Sequence, residues 1–238
     1  MLLSLGRPSK EMDIGKTIST KSGSASSWRH GLRCQRNRSM APLPVILASS
    51  SPRRIAILKD LGLKFQCVSP DTFQEVMTGA SAECLVVHNA LGKALLVAQQ
   101  VANGLVIGCD TVIVLGDTIL GKPHSAENAK EILHRLSGNI HWVVSGLALI
   151  DKKYNREWSS HAVTEVLFKK ISDDEIDTYV ATGEPLDKAG AYAIQEQGRK
   201  FVETIKGSET NIVGLPVELL KEGFRCLGIY PQFPVRGN

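Results

Sequence analysis

A chain of 238 residues that is 43% hydrophobic and 22% charged can bury a sizeable core, in one large domain or two small ones. Its formal charge of +4 is concentrated in residues 1–40, which hold eight Lys and Arg against Glu11 and Asp13, so the remainder is slightly acidic and is not a generic nucleic-acid binder. No apolar run reaches the roughly 20 residues a membrane span needs, and the five cysteines (Cys34, Cys67, Cys84, Cys109, Cys226) form no C-x-x-C pair, so neither a membrane helix, a disulfide framework nor a zinc site is expected.

Residues 1–40 are serine-rich, basic and without amphipathic periodicity, which fits a disordered extension or an organelle transit peptide. Met40 stands just before the first convincing strand and leaves room for a shorter product. The expected location is the cytoplasm, with a mitochondrion or plastid as the alternative through residues 1–40. The body, 41–238, alternates strands and helices. A strand near 44–48 leads to a helix near 52–61, a strand near 64–68 and a long helix near 81–101. The apolar run Leu105–Ile107 then meets Gly108-Cys109-Asp110, which reads as a polar break. Thr111–Val114 resumes as strand, and Gly116-Asp117 turns the chain toward Ile119-Leu120. Ser125 caps a helix that ends at Ser137-Gly138. Long strands near 141–150 and 157–168 flank the turn DKKYN, and Ser172 caps a helix stopped by Gly183. KFVETI reads as strand, and VGLPVELLKEGF as the last helix. With no internal repeat and no linker between 41 and 228, the body is a mixed α/β fold.

Two stretches carry chemistry. In PVILASSSPRRIAIL an apolar strand delivers three serines to a helix N-terminus, with Pro52 in the first turn, where its missing N–H is harmless. Free backbone N–H groups, hydroxyls and the forked donors of Arg53 and Arg54 would then face one anion, although a capped surface helix with two solvated arginines has the same pattern. Asp110 should lie where a strand leaves the core, as a functional carboxylate or as an Asx-turn cap. GDTILGK (116–122) matches the start of a P-loop, but Pro123 stands where that motif needs a magnesium-binding hydroxyl, so an ATPase P-loop is rejected. Lys122 remains a candidate cation. Carboxylates at Asp110 and Glu75, cations at Arg53, Arg54, Lys93 and Lys122, and hydroxyls at Ser49 and Thr111 together suit phosphoryl chemistry.

Taken in order, ILASSSPRRIAIL, IGCDTVIV, ILGKP, LSG-x-x-H, YVATGEPLDKAGAYAIQ and NIVGLP resemble the Maf family of nucleoside triphosphate pyrophosphatases over residues 45–216. The resemblance implies a twisted mixed sheet with flanking helices, two lobes around a cleft as in inosine triphosphate pyrophosphatases, and often a homodimer. It also implies hydrolysis of a nucleoside triphosphate to the monophosphate and pyrophosphate, with Mg2+ or Mn2+ held by Glu75 and Asp110. In that light Asp110 is the proton acceptor, while Ser49, Arg53, Arg54, Lys93 and Lys122 hold the triphosphate. Arg53, Thr111 and Gln195 match the subtype that acts on dTTP and UTP rather than the one acting on 7-methyl-GTP. A glutamine amide has both the donor and the acceptor that a pyrimidine edge requires. Modified pyrimidine nucleotides are a further option, since one methyl or hydroxyl shifts binding by only about 1 to 3 kcal/mol. A nucleotide-binding regulator of cell division without turnover is the alternative of another class. Cys109 stands where the family has alanine and is read as packing inward. Asn139 replaces a usual arginine, and Glu75 falls one residue later than in bacterial members. His141 reads as a structural hydrogen-bonder, Glu184 as a loop tie, and Asp187 and Lys188 as residues of the cleft.

Overall fold

A computed structural model describes residues 43–76 and 81–231; the expected extension, residues 1–40, lies outside the described residues. Seven strands form one mixed sheet in the order β2-β1-β3-β5-β6-β7, with β4 paired to β3 beside that path. β1 (Val45–Ala48), β2 (Phe65–Cys67) and β3 (Leu105–Leu115) run parallel, with α1 (Pro52–Asp60) and α2 (Ala82–Gln100) as the crossovers. β4 (Thr118–Leu120), β5 (Ile140–Asp151), β6 (Arg156–Phe168) and β7 (Val202–Lys206) complete the sheet by antiparallel pairing.

The helices start where the side-chain chemistry says they should. Ser81, Ser125 and Ser172 each accept a backbone N–H in the first turn of α2, α3 (Ala126–Leu136) and α4 (Asp173–Ala181), and Glu175 completes a capping box with Ser172. The expected last helix, over 213–224, starts later than its sequence suggests, and a short helix not expected from sequence precedes it. A short α5 (Glu209–Val213) ends at Gly214, whose φ of 109° is left-handed, and α6 (Val217–Cys226) begins only after Pro216. Proline disfavours helical backbone in the residue before it, so Leu215 cannot continue the turn. Three 3₁₀ turns lie over Glu184–Asp187, Ala189–Ala191 and Gln197–Phe201, and the last takes Lys200 and Phe201 from the expected KFVETI strand, which begins at Val202 instead.

The expected polar break at Gly108-Cys109-Asp110 does not exist. β3 runs unbroken, and Asp110 lies in mid-strand opposite Gly146 of β5. The backbone is fully paired on that side, so the local composition does not interrupt it. On its other edge, however, β1 stops at Ala48 opposite Gly108, and β4 joins only at Ile113. Between those points the edge of β3 has no strand beside it, and the sheet opens next to Asp110 and Thr111.

Alternation along β3 and β5 sorts the core. Ile107, Cys109, Leu147 and Leu149 face α1 and α6 in one apolar cluster, while Ile113 and Val143 face α3 and α4 in another. Both clusters lie on the same face of the sheet, and the polar pair Thr111 and Ser145 separates them. This is the expected two-lobed body with its cleft. The opposite face carries α2, whose Ala90, Ala94 and Val97 pack on Val106 and Ala148. Here two glycines are required by close approach: a Cβ on Gly108 would stand 2.1 Å from the Ala90 carbonyl oxygen, and one on Gly146 would stand 2.1 Å from that of Val86. Gly146→Ala must therefore push helix from sheet, and urea unfolding should give a loss of about 2 kcal/mol or more. A variant of unchanged stability would remove this contact as the seat of α2.

Candidate active site

Asp110 points from β3 toward α2, because Asp110 shares the face of Gly108 and Gly146 against which the helix rests. Only 4% of it is exposed. One carboxylate oxygen accepts from Lys93 Nζ at 2.6 Å, and the other accepts from Asn89 Nδ2 at 3.0 Å. Asn89 and Lys93 are four residues apart on α2 and so share a face. Asn89 also receives the Val76 N–H at 2.9 Å and donates to the Val76 carbonyl at 3.0 Å. It thereby straps the segment carrying Glu75 across the helix, and Glu75 reaches Lys93 Nζ at 2.5 Å. Asn89 was not singled out from sequence. A polar side chain one turn before Lys93 on an otherwise apolar helix face was the available signal.

On the other face of β3 lies the serine and arginine turn. Pro52 opens α1, and Ser51 makes no side-chain cap, so the N–H groups of the first turn are left to the cavity. Arg54 is committed to the protein: Nε donates to the Gly214 carbonyl at 2.8 Å, Nη1 to Ser49 at 3.3 Å and Nη2 to Thr111 at 3.2 Å. Thr111 continues through Ser145 to the Asn211 carbonyl. Ser49 is thus placed behind Arg54 instead of on the cavity wall, where Ser51 stands. Arg53 is freer. Its guanidinium reaches only across the cleft, to Asp187 at 3.5 Å, and Asp187 in turn pairs with the buried Lys188 at 2.6 Å.

These groups border one cavity of about 280 Å³. Arg53, Arg54, Lys93, Asp110 and Glu75 line it, as do Thr111, Lys122 and Gln195. Lys122 arrives because the Gly190 N–H donates to the Gly121 carbonyl at 3.0 Å, fastening the loop that carries Gln195 to the end of β4. Apolar walls come from both lobes, Ile113, Val143 and Tyr192 on one side and Ile194, Ile212 and Val213 among the rest. The cavity therefore suits a ligand with a polyanionic tail and a flat, weakly polar ring. Glu75 and Asp110 converge on the same ammonium, so their oxygens are disposed to share a cation. Among the described residues no group of three or more His, Cys, Asp or Glu side chains gathers for a metal, in this cavity or outside it.

Three further expectations can be placed. Glu184 ties a loop: it accepts from the Tyr179 hydroxyl at 2.7 Å and from the N–H groups of Gln197 and Gly198 at 3.2 Å. Lys188 lines the cavity, and Asp187 closes on Arg53 across it. Cys109 faces the core, where burial pushes its thiol up to about 11, away from any nucleophilic role at neutral pH.

Residues 44–226 match the family described as Maf-like protein. The dTTP/UTP pyrophosphatase of Desulforamulus reducens is 45% identical over 186 residues, covering 78% of this chain and 97% of that protein. The dTTP/UTP pyrophosphatase of Acetivibrio thermocellus is 44% identical over 192 residues, covering 78% and 96%. The Staphylococcus aureus Ham1 protein superposes with a TM-score of 0.46 at 14% identity, over 77% of this chain and 99% of its own.

Beneath the cavity wall, His141 is fully buried, with Nε2 2.9 Å from the Tyr192 hydroxyl and its ring set edge-on to Phe168. This is the expected structural hydrogen bond. Burial lowers its pKa from 6.5 to about 4. Between those values the unfolded chain binds the extra proton, so stability is lost as pH falls from 6.5 toward 4, by up to about 3 kcal/mol from this group. In urea unfolding across that range, His141→Gln should show a shallower acid-side loss than the wild type. Equal slopes would assign the loss to other groups.

Proposed function

The chain belongs to the Maf-like family, and on that premise we propose that it hydrolyses nucleoside triphosphates, dTTP and UTP foremost, to the monophosphate and pyrophosphate. The observation that carries this reading is the buried Asp110 carboxylate on the wall of a cavity whose other charged groups are largely cations. The relatives named above carry the names of enzymes with that substrate pair. Neither relative is named for 7-methyl-GTP or for a regulatory role without turnover, so those readings are not favoured.

In this reading Asp110 orients and deprotonates the water that attacks the α-phosphorus, and the bond to the bridging oxygen breaks with pyrophosphate as leaving group. Arg53, Lys93 and Lys122 hold the triphosphate and offset the charge that builds on the leaving oxygens. Arg54 contributes less directly, since three of its N–H groups already tie α1 to Ser49, Thr111 and Gly214. The first turn of α1 adds its free N–H groups to the same anion. Gln195 pairs its amide with the pyrimidine edge.

A divalent ion, Mg2+ or Mn2+, fits the donors present. Glu75 and Asp110 offer hard carboxylate oxygens to one point, and two carboxylates with phosphate oxygens and water make an ordinary environment for such an ion. When bound it supplies charge neutralisation at the phosphate oxygens.

Two measurements test this. With dTTP, UTP, dATP and 7-methyl-GTP in turn, and Mg2+ or Mn2+ present, the pyrimidine nucleotides should yield pyrophosphate. Release of orthophosphate alone would instead make the protein a γ-phosphatase. Asp110→Asn keeps the shape and an oxygen for the Asn89 contact, so turnover should fall at least about a hundredfold, roughly 3 kcal/mol of barrier, in a protein that still folds, with a lowered melting temperature because Lys93 loses one of its two carboxylate partners. Near-normal turnover in that variant would take Asp110 out of the chemistry.

A further inference from the structure

Lys93 occupies the point toward which Glu75 and Asp110 converge. Its ammonium lies 2.5 Å from one carboxylate and 2.6 Å from the other, and the residue is only 7% exposed. We propose that Lys93 is a built-in counter-cation that keeps a divalent metal out of the nucleotide-free site, so that metal and triphosphate bind as a pair. This deepens the hydrolytic reading and rests on it for the identity of the anion.

Three features of the site support the proposal. The two carboxylates are held close to each other by one side chain. Asp110 is held by Asn89 through its second oxygen, and the same Asn89 side chain fixes the strap that carries Glu75. A divalent ion added beside Lys93 would place two positive groups against one carboxylate pair next to the buried Asp110, where their repulsion is stronger than in bulk water. The metal therefore needs the ammonium to leave.

The cavity also gives a displaced ammonium nowhere to go. Glu75 and Asp110 are the only carboxylates among its lining residues, and the remaining charged ones are Arg53, Arg54, Lys122 and Lys188. Asp187, at the cleft mouth, is already shared by Arg53 and Lys188. Lys93 itself has a flexible four-carbon stem and three rotatable donors, so it can turn into the cavity once an anion is there to receive it. A triphosphate is such an anion. Its arrival draws Lys93 off the carboxylates and frees them for the ion, and by linkage the ion must tighten triphosphate binding by the same factor.

The test is Mn2+ binding to the full-length protein, followed by water-proton relaxation enhancement so that protein-bound metal is distinguished from metal on free nucleotide. In the wild type, saturating α,β-methylene dTTP, which cannot be cleaved at the reacting bond, should raise Mn2+ affinity by about tenfold or more. Lys93→Met keeps the length and apolar stem while removing the charge. This variant should bind Mn2+ about tenfold or more tightly without any nucleotide, and the gain should vanish when Glu75→Gln is added. Equal wild-type Mn2+ affinity with and without the analogue overturns the proposal, and that comparison holds even if Lys93→Met does not fold. A folded Lys93→Met protein that gains no Mn2+ affinity also overturns it. Pyrophosphate release from dTTP is scored separately: turnover with flat Mn2+ affinities sinks the counter-cation and leaves the hydrolase, while coupled Mn2+ binding without pyrophosphate does the reverse.

Discussion

The seat of α2 on the sheet is the contact from which the rest of the site is built. Side chains on facing elements ordinarily keep a helix off the backbone of a sheet, but Gly108 and Gly146 present bare backbone, and the helix comes down until its Ala90 and Val86 carbonyl oxygens lie 2.1 Å from where their Cβ atoms would be. That descent brings Asn89 and Lys93 onto Asp110 with direct hydrogen bonds. It also lets Asn89 reach both the carboxylate below and the Val76 backbone above. A bulkier residue at either glycine would move Asn89 and Lys93 together away from Asp110, because both travel on α2.

The second constraint is the unequal length of neighbouring strands. β1 ends at Ala48 while β3 continues to Leu115, so a long central strand passes an edge without a strand beside it before β4 takes over. Through that opening residues from both faces of the sheet meet in one cavity. Asp110 belongs to the α2 face and Thr111 to the face of the two lobes, yet both line it. Alternation would normally hold two consecutive strand residues in separate environments. Missing pairing at the edge brings these two together, much as ligands gather where sheet order changes in other α/β folds.

Charge is arranged for function more than for stability. Removing one partner of a buried pair such as Lys93 and Asp110 typically costs about 3 to 5 kcal/mol, yet replacing both by well-packed apolar groups is often neutral or better. Such a pair is a costly way to hold a helix on a sheet that already has Ala90, Ala94 and Val97 in contact. Arg53 and Arg54 divide a similar task. Arg54 spends its fork tying α1 to β3 and to the turn before α6, whereas Arg53 reaches one exposed carboxylate across the cleft and stays available to an anion. Donors fixed in advance by their own hydrogen bonds need little reorganisation when charge develops nearby, which is what the proposed reaction requires.

Short-range chemistry was legible in the chain. Helix caps at Ser125 and Ser172, Pro52 opening α1, the turn at Gly116-Asp117 and the apolar runs that became strands all follow from interactions within a few residues. The ordered motifs around Arg53, Asp110, Lys122 and Gln195 named a common chemistry, and these residues do border one cavity. Other features were not legible. The apparent break at Gly108-Cys109-Asp110 became continuous strand because pairing with β5, a segment some 35 residues away, outweighs local composition. Ser49 turned from the cavity to support Arg54, and Asn89 emerged as the clamp between Glu75 and Asp110. Periodicity and caps report forces that decay within one or two turns of backbone. Which carboxylate faces which ammonium depends on how near a helix can approach a sheet, and that distance is set by glycines on two separate strands acting at once.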